Sequence, residues 1–265
     1  MSIYVELTRA FNDGRLRAVL SSGQAVVLHR LAIMSKDGDW ILREEDEALR
    51  HVLAVLAERG GRYRFGAPMD LRWLRGGWSS HFEFRQGPLR VRTDFVTRPP
   101  RLSPENLEAL WREQEGRDIP FVKARDLAEL KKTNREKDYA VIGELARLLA
   151  DPADQLLVSR SARDILTLAA EHPALFRELA PRRPALAAAT RGGEELEAAL
   201  DAERRALMHA NEKRLQRYMQ AAEPWARLWP GVAEKIAGLP LREAHEVMAA
   251  RAEGVLPYEP AGGPP

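Results

Sequence analysis

The chain has 265 residues with 41 Lys and Arg against 39 Asp and Glu, a formal net charge of +2, and no cysteine. The absence of thiols excludes a disulfide framework, a thiolate zinc site and a cysteine nucleophile. The length supports one or two domains with a hydrophobic core. No run of about 18 apolar residues exists, so no transmembrane helix is expected. The N-terminal MSIYVELTRAFNDGR carries acids and no apolar stretch, unlike a signal peptide. The expected location is cytoplasmic, with no membrane partner.

Asn12-Asp13-Gly14 is a turn signal, followed by the short apolar run Leu16–Leu20. Residues 24–31 read as a short helix and Asp39–Leu42 as a strand. Residues 44–59 place Leu49, Val52, Leu53 and Leu56 at helical spacing, with Gly60-Gly61 as the stop. Four strand candidates follow, at 62–65, 69–74, 81–84 and 89–96, separated by Gly and Pro. Ser103-Pro104 opens a helix, with a capping serine before a first-turn proline. Phe121-Val122 is a short extended piece, and 124–132 and 136–149 read as helices.

Beyond Asp151-Pro152 the strand signal fades. Helices are expected at 161–171, 173–179, 194–223 and 241–253, with Pro224 and Pro230 breaking the long one. These patterns predict an α+β domain over 1–150, an all-α domain over 151–256 and a flexible tail over 257–265.

Charge is unevenly spread. Residues 1–147 hold 26 basic and 22 acidic side chains. Between Arg59 and Arg101 stand ten arginines and only three acids, Asp70, Glu83 and Asp94. Such a field attracts phosphates or a nucleic-acid backbone. An arginine-rich surface set by genome composition is the plainer reading.

Three aspartates carry the chemistry. Asp37 and Asp39 are two residues apart, so on an extended backbone they share one face. Paired carboxylates hold a hard divalent cation that either holds poorly alone. Asp94 sits inside the strand pattern VRTDFV, where an acid is costly unless paired or metal-bound. An arginine partner, Arg92, is the structural alternative. Upstream, Ser22-Gly23 enters a helix, a place where backbone N–H groups can meet phosphate. His29 reads as a half-buried histidine. Trp73 and Trp78 read as core, with base stacking as the alternative.

These motifs together resemble the nucleotidyltransferase superfamily with a DNA polymerase β-like palm, in its minimal nucleotidyltransferase and AbiEii-like toxin branch. Leu20–Val26 (LSSGQAV) is similar to that family's glycine turn, Ser35–Asp39 (SKDGD) to its D-x-D segment, and Asp94 to its third acid. Residues 126–138 (DLAELKKTNREKD) are similar to a later conserved segment. The likeness covers roughly residues 16–149. Ser22 stands where the family has a first glycine, Gly38 where it has an apolar residue, and Ile33 where an arginine is frequent.

The resemblance implies a mixed-sheet palm with flanking helices and transfer of NMP from an NTP to an acceptor. It implies two Mg²⁺ ions (or Mn²⁺) on Asp37, Asp39 and Asp94. It also implies nucleotide contacts from Ser22, Gly23, Lys131, Arg135, Lys137 and Asp138. RNA such as tRNA, or a small molecule such as an antibiotic, is the implied acceptor, and a toxin-like role implies a cognate antitoxin. An inactive nucleotide- or nucleic-acid-binding module is the alternative.

Overall fold

The computed structural model describes residues 2–260. The chain is α+β and packs as two units, residues 1–122 with 215–265, and residues 123–214. The boundary expected near 150 falls inside the second unit.

The first unit opens with helix α1, Ile3–Phe11. No helix is predicted there from the sequence, although Ser2 caps it and Tyr4, Leu7, Thr8 and Phe11 form its buried stripe. Strand β1 (Ala18–Ser21), helix α2 (Ser22–Leu28), strand β2 (Gly38–Leu42) and helix α3 (Asp46–Glu58) follow. Strand β3 (Arg62–Tyr63), helix α4 (Leu71–Leu74) and strands β4 (Ser80–Gln86) and β5 (Leu89–Val96) complete the sheet region, and helix α5 (Pro104–Gln114) closes it.

The strand expected over 69–74 is a helical turn instead. Asp70 accepts from the Arg72 N–H at 2.8 Å, and the capped turn buries Leu71, Trp73 and Leu74. Local capping overrides the β-like composition.

The sheet is mixed, in the order β1-β2-β5-β4-β3. β2 pairs with β5 in parallel; β1–β2, β4–β5 and β3–β4 are antiparallel. Residues 120–122 bond alongside β1 through Leu20. One face of the sheet carries Leu20, Trp40, Phe82 and Phe95 into the main core with α1. Trp40 and Phe95 stack at 5.4 Å between ring centroids, and the Trp40 indole N–H donates to Thr8 Oγ1 at 3.0 Å. Trp73 and Trp78 are core residues, their indoles donating to the carbonyls of Leu256 and Pro257. Residues 257–260, expected in a flexible tail, are therefore placed by the core; 261–265 lie outside the described residues.

In the second unit α6 (Ala124–Leu130) and α7 (Glu136–Arg147) pack on α8 (Pro152–Val158). Arg125 bonds Asp154 and Arg147 bonds Asp164, which ties 124–147 to the helices that follow. Helices α9 (Ala162–Glu171) and α10 (Pro173–Leu179), with a 3-10 segment at Pro184–Arg191, build its core.

Helix α11 runs unbroken from Gly193 to Ile236, through both prolines. Its residues from 215 belong to the first unit. There Trp225 is 1% exposed, and its indole donates to the Gly66 carbonyl at 2.9 Å. Burial of Trp225, Val232 and Ile236 outweighs the roughly 3 kcal/mol cost of a mid-helix proline. Helix α12, Leu241–Ala252, follows. No described helix is long and apolar enough to cross a membrane.

Candidate active site on the polar sheet face

Because side chains alternate along a strand, the face opposite Trp40 and Phe95 carries the polar residues. Asp39 and Asp94 are direct register partners on β2 and β5. Ser21 is opposite Asp39 on β1, and His81 is opposite Asp94 on β4. One row across the sheet thus reads Ser21, Asp39, Asp94, His81. The Arg64 N–H bonds the His81 carbonyl at 2.9 Å and extends that row. Asp37 lies one step along, beside Arg92, whose guanidinium is 3.8 Å from Asp37 Oδ1.

The segment before β2 is held by its carbonyls. The Tyr4 hydroxyl donates to the Lys36 carbonyl at 2.5 Å. The Gln24 amide donates to the carbonyls of Ser35 and Asp37 at 3.0 and 3.2 Å. Helices α1 and α2 therefore anchor the bend at Asp37, just before β2 begins at Gly38. Burial and the Asp37 charge push the Tyr4 phenol up. Gly38 has no room for a side chain: a Cβ would come within 2.4 Å of the Trp40 ring and 2.5 Å of Tyr4.

Asp37 Oδ1 is buried and has no hydrogen-bond donor. Asp94 is differently placed. His81 Nδ1 is 2.7 Å from Asp94 Oδ1, and Arg64 Nη1 is 3.3 Å from the same oxygen. The arginine partner of Asp94 is thus Arg64, while Arg92 faces Asp37. Among the described residues no three Asp, Glu, His or Cys side chains converge as a ready metal-binding group.

The donor chemistry nonetheless suits a hard cation. Asp39 and Asp94 are side by side in register, Asp37 stands in the bend just before β2, and Asp37 Oδ1 is a buried acceptor without a hydrogen-bond donor. A groove of about 850 Å³ opens beside Asp37, with Tyr4, Gln24, Met34, Arg90 and Arg92 in its wall.

Ser22 and Gly23 open α2, a helix of seven residues. Ser22 has φ +49°, a left-handed conformation that glycine adopts without strain. A Cβ on Gly23 would lie 2.2 Å from Ser35 Oγ, so the Ser35 hydroxyl would have to turn away. His29 is a satisfied histidine: Nε2 meets the Val122 carbonyl at 3.0 Å, and the ring packs edge-on to Phe121.

Lys131, Arg135, Lys137 and Asp138 lie in the second unit. Asp138 is 4% exposed and accepts from Lys131 Nζ, Thr133 Oγ1 and Arg135 Nε at 3.3, 2.6 and 2.8 Å. Burial pulls its carboxyl upward, but Thr133, Lys131 and Arg135 together hold it below the usual aspartate range. This cluster clasps the end of α6 to the start of α7. Lys131, expected to face phosphate, is buried and paired; Lys137 is exposed.

Of the ten arginines between 59 and 101, the strand alternation puts Arg62, Arg64, Arg85, Arg90 and Arg92 on the carboxylate face. Others pair elsewhere: Arg72 with Asp70, and Arg75 and Arg98 with Glu44. The sequence carries no local signal for His81 and Arg64 as partners of Asp94, because the cross-strand register that joins them is a tertiary feature.

No protein-family model, curated protein or solved structure matches the chain.

Proposed function

We propose that the chain is a metal-dependent nucleotidyltransferase that moves NMP from an NTP to an acceptor and releases pyrophosphate. The observation that carries this reading is the side-by-side placement of Asp39 and Asp94 on parallel strands, with Asp37 in the bend one residue ahead of β2. Asp37, Asp39 and Asp94 would hold Mg²⁺ or Mn²⁺. Bound there, such ions supply charge neutralisation for the entering and departing oxygens of phosphoryl transfer.

The chain's own groups do the positioning. Tyr4 and Gln24 anchor the backbone that carries Asp37. Arg90 and Arg92 line the adjoining groove and offer fixed positive charge to a phosphate. The arginines of the sheet face favour a polyanionic acceptor such as RNA over a neutral small molecule. Ser22 and Gly23 are the groups nearest in sequence to a phosphate cradle. The mutual bonding of Lys131, Arg135 and Asp138 speaks for a structural role of that cluster within the second unit. A toxin-like role in the cytoplasm with an antitoxin extends the same resemblance.

A second reading has one observation in its favour. Arg64 and His81 both engage Asp94 Oδ1, as expected if the face binds nucleotide or nucleic acid without turnover.

The test incubates the full chain with each α-labelled NTP, Mg²⁺ or Mn²⁺, and total tRNA or an aminoglycoside as acceptor. Label transfer that falls to background in Asp39→Asn supports the transferase. Tight NTP binding with no transfer to either acceptor supports the second reading.

A further inference from the structure

The His81 side chain is constrained on three sides. Nδ1 is 2.7 Å from Asp94 Oδ1, and Nε2 is 3.0 Å from Ser79 Oγ. The ring lies against Gly66, where a Cβ would be only 2.5 Å from His81 Cδ2. An ionised carboxylate only accepts, so Nδ1 carries the proton toward Asp94. In the neutral ring Nε2 is then an acceptor, and the Ser79 hydroxyl donates to it. His81 is on β4 opposite Asp94, and Ser79 stands just before that strand, within reach of the ring. Arg64 Nη1, 3.3 Å from the same Asp94 oxygen, brings a fixed positive charge to the place where a cation would bind.

We propose that His81, tethered by Ser79, is a positioning residue that orients the Asp94 carboxylate toward a divalent cation, and that Arg64 is a built-in competitor for that cation. The inference rests on the metal-dependent reading above. Groups that bond a metal-ligating side chain from behind fix its direction and raise affinity, and their loss typically costs about 10- to 100-fold in metal binding. A neighbouring guanidinium acts in the opposite sense, by charge repulsion. The two effects therefore separate by sign. Neither Ser79, His81 nor Arg64 needs to touch the ion.

The test is Mn²⁺ binding to the full chain, followed by electron paramagnetic resonance, with thermal melting as the check on folding. His81→Phe is expected to weaken Mn²⁺ binding about 10- to 100-fold. Ser79→Ala, which removes a single oxygen and leaves the ring in place, weakens it by less. His81→Asn, whose amide nitrogen can stand in for Nδ1, restores part of the loss. Arg64→Gln tightens binding severalfold. In the metal-free protein, ¹⁵N shifts of the His81 ring should report the Nδ1–H tautomer, changed in Asp94→Asn.

Wild-type Mn²⁺ affinity in folded His81→Phe and Ser79→Ala overturns the proposal while leaving the metal site standing. An Nε2–H tautomer overturns it as well. Failure of the wild-type chain to bind Mn²⁺ overturns the metal-dependent reading and this inference together.

Discussion

Asp39 and Asp94 occupy the same register position on two parallel strands, β2 and β5, so their side chains leave the sheet in one direction. Like charges set side by side on a sheet are unfavourable. Asp94 answers part of that cost with Arg64 and His81. A divalent cation offers a further counter-charge, and Asp37, with its donorless Oδ1, lies one step away. We expect millimolar Mn²⁺ to raise the melting temperature of the wild-type chain and to leave that of the Asp37→Asn, Asp39→Asn double variant unchanged. Equal shifts in both would place the cation elsewhere.

Gly38→Ala should destabilise the first unit. Its Cβ would overlap both Trp40 and Tyr4, and over-packing of this kind costs about 1–3 kcal/mol. Displacement of Tyr4 also loosens its bond to the Lys36 carbonyl, so Mn²⁺ binding should weaken in parallel. Urea unfolding measures the first effect, and a midpoint equal to wild type would contradict the packing argument.

Ser22→Gly should stabilise the chain. A non-glycine residue at φ +49° carries strain of about 1–2 kcal/mol that glycine avoids. Part of the gain is offset by the greater freedom of glycine in the unfolded chain. A net rise in the urea midpoint is expected, and a fall would show that the serine hydroxyl has a role outweighing backbone strain.

Acid should weaken the second unit through Asp138. Its carboxyl is held below the ordinary aspartate range by Thr133, Lys131 and Arg135, against the opposing effect of burial. A depressed folded value means the stabilisation is fully present above the unfolded pKa of about 3.9 and is lost as pH falls through the lower folded value. Asp138→Asn should remove that acid dependence. It should also cost roughly 3 kcal/mol or more at pH 7, because Lys131 is left buried without its partner. Stability measured from pH 7 to pH 2 checks both; an unaltered acid limb in Asp138→Asn would refute the assignment.

Local patterns in the sequence carried the centre of the fold and missed its less regular parts. Alternation in VRTDFV and the two-residue spacing of Asp37 and Asp39 point to strands; Asp39 and Asp94 lie on neighbouring strands, while Asp37 sits in the bend before β2. The helical stripe of α1 is legible in the 3/4 spacing of Tyr4, Leu7 and Phe11. Residues 69–74 look β-like by composition, and only the Asp70 cap reveals the helical turn. Pro224 and Pro230 stop a helix by local rules; tertiary burial of Trp225 keeps it continuous. Lys131 reads as a free cation because its partner, Asp138, is seven residues away and meets it only after α7 folds back. His81 gains its partner from cross-strand pairing, which no local pattern encodes.

The most direct measurement is anomalous scattering from crystals of the full chain grown with Mn²⁺ and a non-hydrolysable NTP. The account predicts a manganese peak about 2.0–2.2 Å from carboxylate oxygens of Asp37, Asp39 and Asp94, with the triphosphate against it. A manganese peak on other residues, or nucleotide bound away from this sheet face, would contradict it.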